Sequence, residues 1–135
     1  MNNERETPLV INNELSKVAK EHALNMIRQR KFSHTLDGKS PQDRVRDADL
    51  CSPDTVVGEN IGMVSGSIAV RQHTEEMFNG FKNSRGHYKN MTSEMWKITG
   101  VAYAVDEQNM KIFWVIMFAN NVQKDYRIMP YYLQR

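Results

Sequence analysis

The chain has 135 residues, of which 40% are hydrophobic and 25% charged, so length and composition predict a single globular domain over residues 1–135. The formal net charge of +2, with Lys and Arg scattered along the chain, argues against a nucleic-acid partner. A single cysteine excludes an internal disulfide, and the absence of any run of about 18 apolar residues argues against a membrane span.

The first half of the chain carries three helix patterns. The first helix ends near Lys31 and has apolar residues at i, i+3 and i+4 spacing, namely Leu15, Val18, Ala19, His22, Ala23, Met26 and Ile27. Asn12 or Asn13 can cap its start. In the second helix pattern, Ser40 is the N-cap residue, Pro41 takes the first helical position and Asp43 completes a capping box. This helix is predicted to end near Ala48. The third is predicted over residues 67–82.

The second half predicts a β-hairpin. The segments ITGVAYAV and MKIFWVIMF are rich in β-branched and aromatic residues and are separated by DEQN. The second segment is apolar on both faces, which is typical of a central strand covered on both sides, with Phe113 and Trp114 facing opposite layers. Helices followed by a hairpin predict an α+β class. The tail, about residues 121–135, has no predicted placement, and its Tyr131 and Tyr132 could pack on the domain or bind a partner.

Two of the four histidines are candidates for a site. His22 lies in the apolar stripe and is interpreted as a core histidine, whereas His73 is interpreted as a solvated surface group. His34 in FSHTLDG and His87 in SRGHYKN are placed in loops, and the GENIG segment, also interpreted as a loop, supplies Glu59. Two imidazoles and a carboxylate could form a metal or acid–base site, but the spacing alone equally allows three unrelated loops.

A resemblance favours the shared site. The segments ELSKVAKEHALNMIRQRKFSHTLDGKSPQDRV, VGENIG, NSRGHYKNM, ITGVAYAV and FWVIMFAN resemble, in this order, the CAP superfamily of cysteine-rich secretory, antigen 5 and pathogenesis-related proteins, and especially its bacterial SCP-like branch. The resemblance implies a three-layer α-β-α sandwich with a small antiparallel sheet between helices. It also implies that His34, Glu59 and His87 converge in a central cleft.

The chain departs from the family pattern at one cleft position. Eukaryotic members place a second glutamate where this chain has about Ser84, with Asn83 beside it. We therefore expect His34, Glu59 and His87 to bind a divalent metal such as zinc only weakly, with Ser84 and Asn60 beside them in the cleft. Arg44 is expected to pack or pair structurally.

The resemblance implies a non-enzymatic protein of the extracellular space or cell envelope that binds a small molecule, a lipid, or a host or cell-surface protein. The alternatives are a metal-assisted hydrolase with Glu59 as base, and a surface interaction protein with a vestigial cleft. The polar start MNNERETPLV lacks a signal-peptide core, so the residues alone leave a cytoplasmic location open.

Overall fold

A four-stranded sheet forms the middle layer of the computed structural model, which describes residues 8–123. Its strands are β1 (Val10–Ile11), β2 (Val57–Ser65), β3 (Ile98–Asp106) and β4 (Lys111–Ala119), in the spatial order β1-β3-β4-β2. β4 pairs antiparallel with both β2 and β3, as the predicted hairpin requires, whereas β1 runs parallel to β3. The sheet is therefore mixed: the expected antiparallel pairing holds for β2, β3 and β4, and the two-residue β1 adds a parallel edge. The segment before the first helix adds to the edge of β3 through the hydrogen bonds Val10 N to Lys97 O and Asn12 N to Thr99 O.

Four helices accompany the sheet: α1 (Asn13–Gln29), α2 (Pro41–Asp47), α3 (Val70–Lys82) and α4 (Arg85–Thr92). The Asn12 side chain caps α1 by accepting a hydrogen bond from the Leu15 backbone N–H at 2.8 Å. The capping box predicted for α2 is present, with Ser40 and Asp43 bonded reciprocally. α3 begins three residues later than predicted, because the Ser67 hydroxyl accepts the Ala69 backbone N–H before the helix starts.

β4 joins two hydrophobic clusters, one on each face of the sheet. On one face Phe113, Val115 and Met117 pack with residues of α1 and α2. On the other, Ile116 and Phe118 pack with Phe81, Met91 and Trp96 of the α3 and α4 side. Phe113 and Trp114 are each 3% exposed, which confirms that both faces of β4 are covered. Each fully buried large apolar side chain contributes about 1.5–3 kcal/mol, so burial of β4 on both faces contributes substantially to the stability of the fold.

The GENIG segment is part of strand β2, so its interpretation as a loop was wrong. Glu59 pairs with Met117 of β4. A side chain at Gly58 would clash with Trp96 and one at Gly62 with Met77, so the two glycines let the α3 and α4 layer lie directly on β2. Alternation along the strand then turns Glu59 and Ile61 toward α1 and α2. His87 likewise lies in α4 rather than in a loop.

The predicted tail lies outside the described residues beyond position 123, and Tyr131 and Tyr132 with it. Within residues 8–123, no helix has the length and apolar character needed to cross a membrane.

Candidate functional site

The carboxylate of Glu59 is the centre of a buried polar cluster. Its side chain has no solvent exposure and points from β2 into the layer of α1 and α2. One oxygen, Oε1, accepts a hydrogen bond from His34 Nδ1 at 2.8 Å, and the other, Oε2, accepts one from Arg44 Nη2 at 2.5 Å. His22 Nε2 lies 3.9 Å from Oε1. We call Glu59, His34, Arg44 and His22 the Glu59 cluster.

Arg44 positions both Glu59 and the loop that carries His34. Its side chain is 13% exposed, and it projects from α2, whose start is held by the capping box at Ser40. Besides its ion pair with Glu59, Arg44 donates through Nη1 to the backbone carbonyls of His34, at 2.8 Å, and Lys39, at 3.3 Å. The structural pairing expected for Arg44 is therefore confirmed, and its partner is the proposed site residue itself.

The hydrogen bond to Glu59 selects the tautomer of His34. An ionised carboxylate can only accept, so Nδ1 carries the hydrogen and, in the neutral ring, Nε2 carries the lone pair. The side chain of His34 is 50% exposed. One nitrogen is thus held by the protein while the other is available to a ligand, which is the arrangement found in histidines that coordinate metals with a carboxylate behind them.

His22 is a core histidine, as predicted. It is 1% exposed, and Nε2 donates to the backbone carbonyl of Ser33 at 2.8 Å. Burial lowers the pKa of His22; the Glu59 carboxylate opposes this shift and the Arg44 charge adds to it. Its Nδ1 has no hydrogen-bond partner among the described residues. The sequence signal for membership of the Glu59 cluster was a histidine inside an otherwise apolar stripe, and helical spacing alone does not connect that histidine to Glu59.

His87 approaches from the opposite face of the sheet. Asn60, the neighbour of Glu59 in β2, is fully buried and turns toward α4. Its Nδ2 donates to the backbone carbonyl of His87 at 3.1 Å, and its Oδ1 accepts from Asn90 Nδ2 at 3.0 Å. Asn60 therefore ties α4 to β2 and supports the backbone of His87.

The ring of His87 lies 4.9 Å from the ring of Phe81 between centroids. Burial lowers the pKa of His87, and the charge of His34 lowers it further. β2, which lies between the layers that carry the two histidines, is an edge strand of the sheet. Ser84 occupies the N-cap position of α4, three residues before His87, and its hydroxyl makes no capping hydrogen bond.

A metal ion at this site would be coordinated mainly by the imidazoles. Among residues 8–123, no group of three or more His, Cys, Asp or Glu side chains is arranged to hold a metal ion. Both oxygens of Glu59 already accept hydrogen bonds, so this carboxylate fits the role of orienting His34 better than that of a direct ligand. The three-ligand zinc site remains a prediction.

His73 differs from its interpretation as a solvated group. Its side chain is 19% exposed and forms two hydrogen bonds, one between Nδ1 and Glu76 at 2.8 Å and one between Nε2 and the Ser67 hydroxyl at 2.9 Å. Ser67, which precedes α3, thus contacts the ring of His73.

The chain is similar to known proteins in sequence and in fold. The model of the cysteine-rich secretory protein family, CAP, matches residues 3–118. An outer surface protein of Borrelia burgdorferi is similar in structure, with a TM-score of 0.65 and 24% identity over 84% of this chain and 77% of that protein. An extracellular protein of Bacillus anthracis that contains an SCP domain has a TM-score of 0.67 and 24% identity over 87% of this chain. The match spans 34% of the Bacillus protein. No curated protein sequence matches.

Proposed function

Because this chain belongs to the cysteine-rich secretory protein family, CAP, we propose that it is a non-enzymatic binding module of the cell envelope or extracellular space that engages its ligand through His34 and His87. The location is supported by the similar proteins, one an outer surface protein and one extracellular. The binding role is supported by the geometry around Glu59.

The observation that carries the proposal is the 2.8 Å hydrogen bond between His34 Nδ1 and Glu59 Oε1. It holds a half-exposed imidazole in one orientation and one tautomer, so little conformational entropy is lost when a ligand engages Nε2. Glu59 is itself held by Arg44, and Arg44 holds the His34 backbone. An imidazole held in this way can accept a hydrogen bond from a small molecule, a lipid headgroup or a surface protein, and it can coordinate a divalent metal.

A metal-assisted hydrolase at the same histidines is the second candidate. The Glu59–His34 pair favours it, because an imidazole oriented by a carboxylate is a general base in many hydrolases. The version with Glu59 as the base has weaker support. Glu59 has no solvent exposure, and its two oxygens are already engaged by His34 and Arg44.

Zinc is the probe that tests the two imidazoles directly. Calorimetric titration at pH 7.5 should show weak binding, and binding should fall by about tenfold or more at pH 5.5, because a ligating imidazole must be neutral and its reference pKa is about 6.5. His34→Ala and His87→Ala should each abolish the binding.

His73→Ala is the matched control, because its ring is hydrogen-bonded to Ser67, just before α3, and to Glu76 on α3, away from the Glu59 cluster. Equal affinity at the two pH values, or full binding by His34→Ala, would contradict the proposal. If wild-type protein binds no zinc at millimolar concentration, the vestigial-cleft alternative is favoured.

A further inference from the structure

A separate cavity lies at the C-terminal end of α1, where Phe32 is two residues before His34 in the chain. Its volume is about 320 Å³, and it is lined by the C-terminal end of α1 and the residues that follow, the C-terminal part of β2, the β3–β4 turn and the start of β4. None of the four residues of the Glu59 cluster lines it, and neither does His87. A ligand here would therefore be independent of the proposed function.

The walls of this cavity are apolar and partly aromatic. Phe113 of β4 forms the floor and is 3% exposed, while Phe32 stands over it, 48% exposed, with ring centroids 6.3 Å apart and planes tilted by 48°. Met63 of β2 and Ile27 of α1 complete the apolar lining. A half-exposed phenylalanine beside a buried one leaves aromatic surface available to a ligand.

The end of α1 places Phe32 and two cations at this cavity. Arg30 adopts a left-handed conformation, with φ of 55°, and its backbone N–H bonds to the carbonyl of Ile27 at 3.2 Å. The Lys31 backbone N–H bonds to the carbonyl of Met26 at 3.0 Å. These bonds end the helix and direct the next residues across the cavity.

The rim carries an excess of positive charge. Arg30, Lys31 and Lys111 line the cavity together with one carboxylate, Asp106. Both oxygens of Asp106 accept hydrogen bonds from Asn109, at 3.2 Å from the backbone and 2.8 Å from the side chain. These bonds help to hold the pKa of Asp106 below its usual value, with the charges of Arg30 and Lys111 adding to the effect. In residues 8–123 no carboxylate lies within ion-pair distance of the three cations.

We infer that this cavity binds a small aromatic carboxylate, whose ring packs between Phe32 and Met63 above Phe113 and whose carboxylate pairs with the Arg30, Lys31 and Lys111 rim. The volume is at the small end of the range for ligand pockets, about 300–1,000 Å³, and suits a single ring with a short acidic tail. The three rim cations outnumber the one rim carboxylate and so attract an anion, and the aromatic walls favour a ring over a flexible chain.

The test uses 3-phenylpropionate as the probe, with ¹H–¹⁵N NMR shifts to locate binding. Shifts should be confined to the end of α1, the C-terminal part of β2, the β3–β4 turn and the start of β4. The neutral isostere 3-phenylpropionamide should bind about tenfold more weakly, and octanoate should bind more weakly than the aromatic acid. Arg30→Gln and Lys111→Gln should each weaken binding by about fivefold, as expected for loss of one partly exposed ion pair.

Lys97→Gln is the matched control, because Lys97 is exposed just before β3, at the opposite end of that strand from the β3–β4 turn. His34→Ala should leave 3-phenylpropionate binding unchanged, which separates this site from the proposed zinc-binding histidines. Equal affinity for acid and amide, octanoate binding as tightly as the aromatic acid, shifts outside the cavity, or no shift at millimolar probe would each overturn the inference.

Discussion

At Glu59 one buried carboxylate on a strand accepts hydrogen bonds from a loop and a helix that precede it in the chain. His34 comes from the loop after α1 and Arg44 from α2, while Glu59 itself lies on β2. A buried charge is tolerated when it is paired and hydrogen-bonded, and both conditions hold here. The cluster therefore connects the helical layer to the sheet edge at the point where His34 is presented to solvent.

Glu59→Gln should lower the free energy of unfolding by about 3 kcal/mol, because Arg44 would keep its charge in a largely buried position without a carboxylate. Urea denaturation measures the loss. Arg44→Met combined with Glu59→Gln should cost less than the sum of the two single variants, since each removes the same ion pair. Strictly additive losses would show that the pair is not coupled.

Stability should fall as the pH drops from 7 to 5. Burial lowers the pKa of both His22 and His87, so below about 6.5 the unfolded chain binds protons that the folded chain does not. The stability is fully present above that pH and is lost as the pH falls, by up to about 1.4 kcal/mol per pH unit for each histidine. Urea titrations at pH 7, 6 and 5 test this, and His22→Gln should flatten the slope. A stability that rises on acidification would refute it.

At the scale of elements, α1 lies in direct contact with β3 because Gly100 has no side chain. A Cβ at this position would lie 2.5 Å from the backbone nitrogen of Ser16 and 2.7 Å from the carbonyl oxygen of Leu15. These are backbone atoms near the start of the helix, so they cannot move without displacing α1. The close approach also lets the Ser16 hydroxyl accept the Val101 backbone N–H at 3.1 Å.

Gly100→Ala should therefore destabilise the protein by about 2–3 kcal/mol, as overpacking against a fixed backbone does. Gly80→Ala provides the contrast, because Gly80 is exposed within α3 and nothing lies within 4 Å of its added Cβ. That variant should gain about 0.5–1 kcal/mol from helix propensity. Thermal unfolding followed by circular dichroism compares the two, and similar melting temperatures for the two variants would contradict the close packing of α1 on β3.

At the scale of the whole molecule, the two helical layers share one strand. The residues of β4 from Ile112 to Ala119 are all buried, and they alternate between the cluster under α1 and α2 and the cluster under α3 and α4. Neither layer has a core that is independent of β4. The loss of one layer would expose apolar residues of the central strand and weaken the other.

We expect unfolding to be a single cooperative transition. Trp96 and Trp114 are 4% and 3% exposed, and the Trp96 ring stacks on Phe118, so both tryptophans report on the sheet face covered by α3 and α4. Tryptophan fluorescence and far-ultraviolet circular dichroism should give the same denaturation midpoint in urea. A fluorescence midpoint at lower urea would mean that the α3 and α4 layer detaches first.

The features that the sequence predicted correctly depend on neighbours in the chain. The apolar stripe and Asn12 cap of α1, the capping box of α2 and the β3–β4 hairpin are all encoded by periodicity or by contacts within four residues. The coverage of β4 on both faces was also predictable from the sequence, because an unbroken apolar strand has no face suited to water. The ordered motifs that resemble the family indicated His34, Glu59 and His87 as candidate site residues.

Tertiary structure alone decided where those groups lie and what they contact. GENIG has glycines and a charged residue that are typical of a loop, yet pairing with β4 and the close approach of Trp96 and Met77 make it a strand. The parallel pairing of β1, the engagement of Glu59 by Arg44 and the cavity between Phe32 and Met63 likewise join segments distant in the chain. Such contacts depend on how layers pack, which local propensity and spacing do not encode.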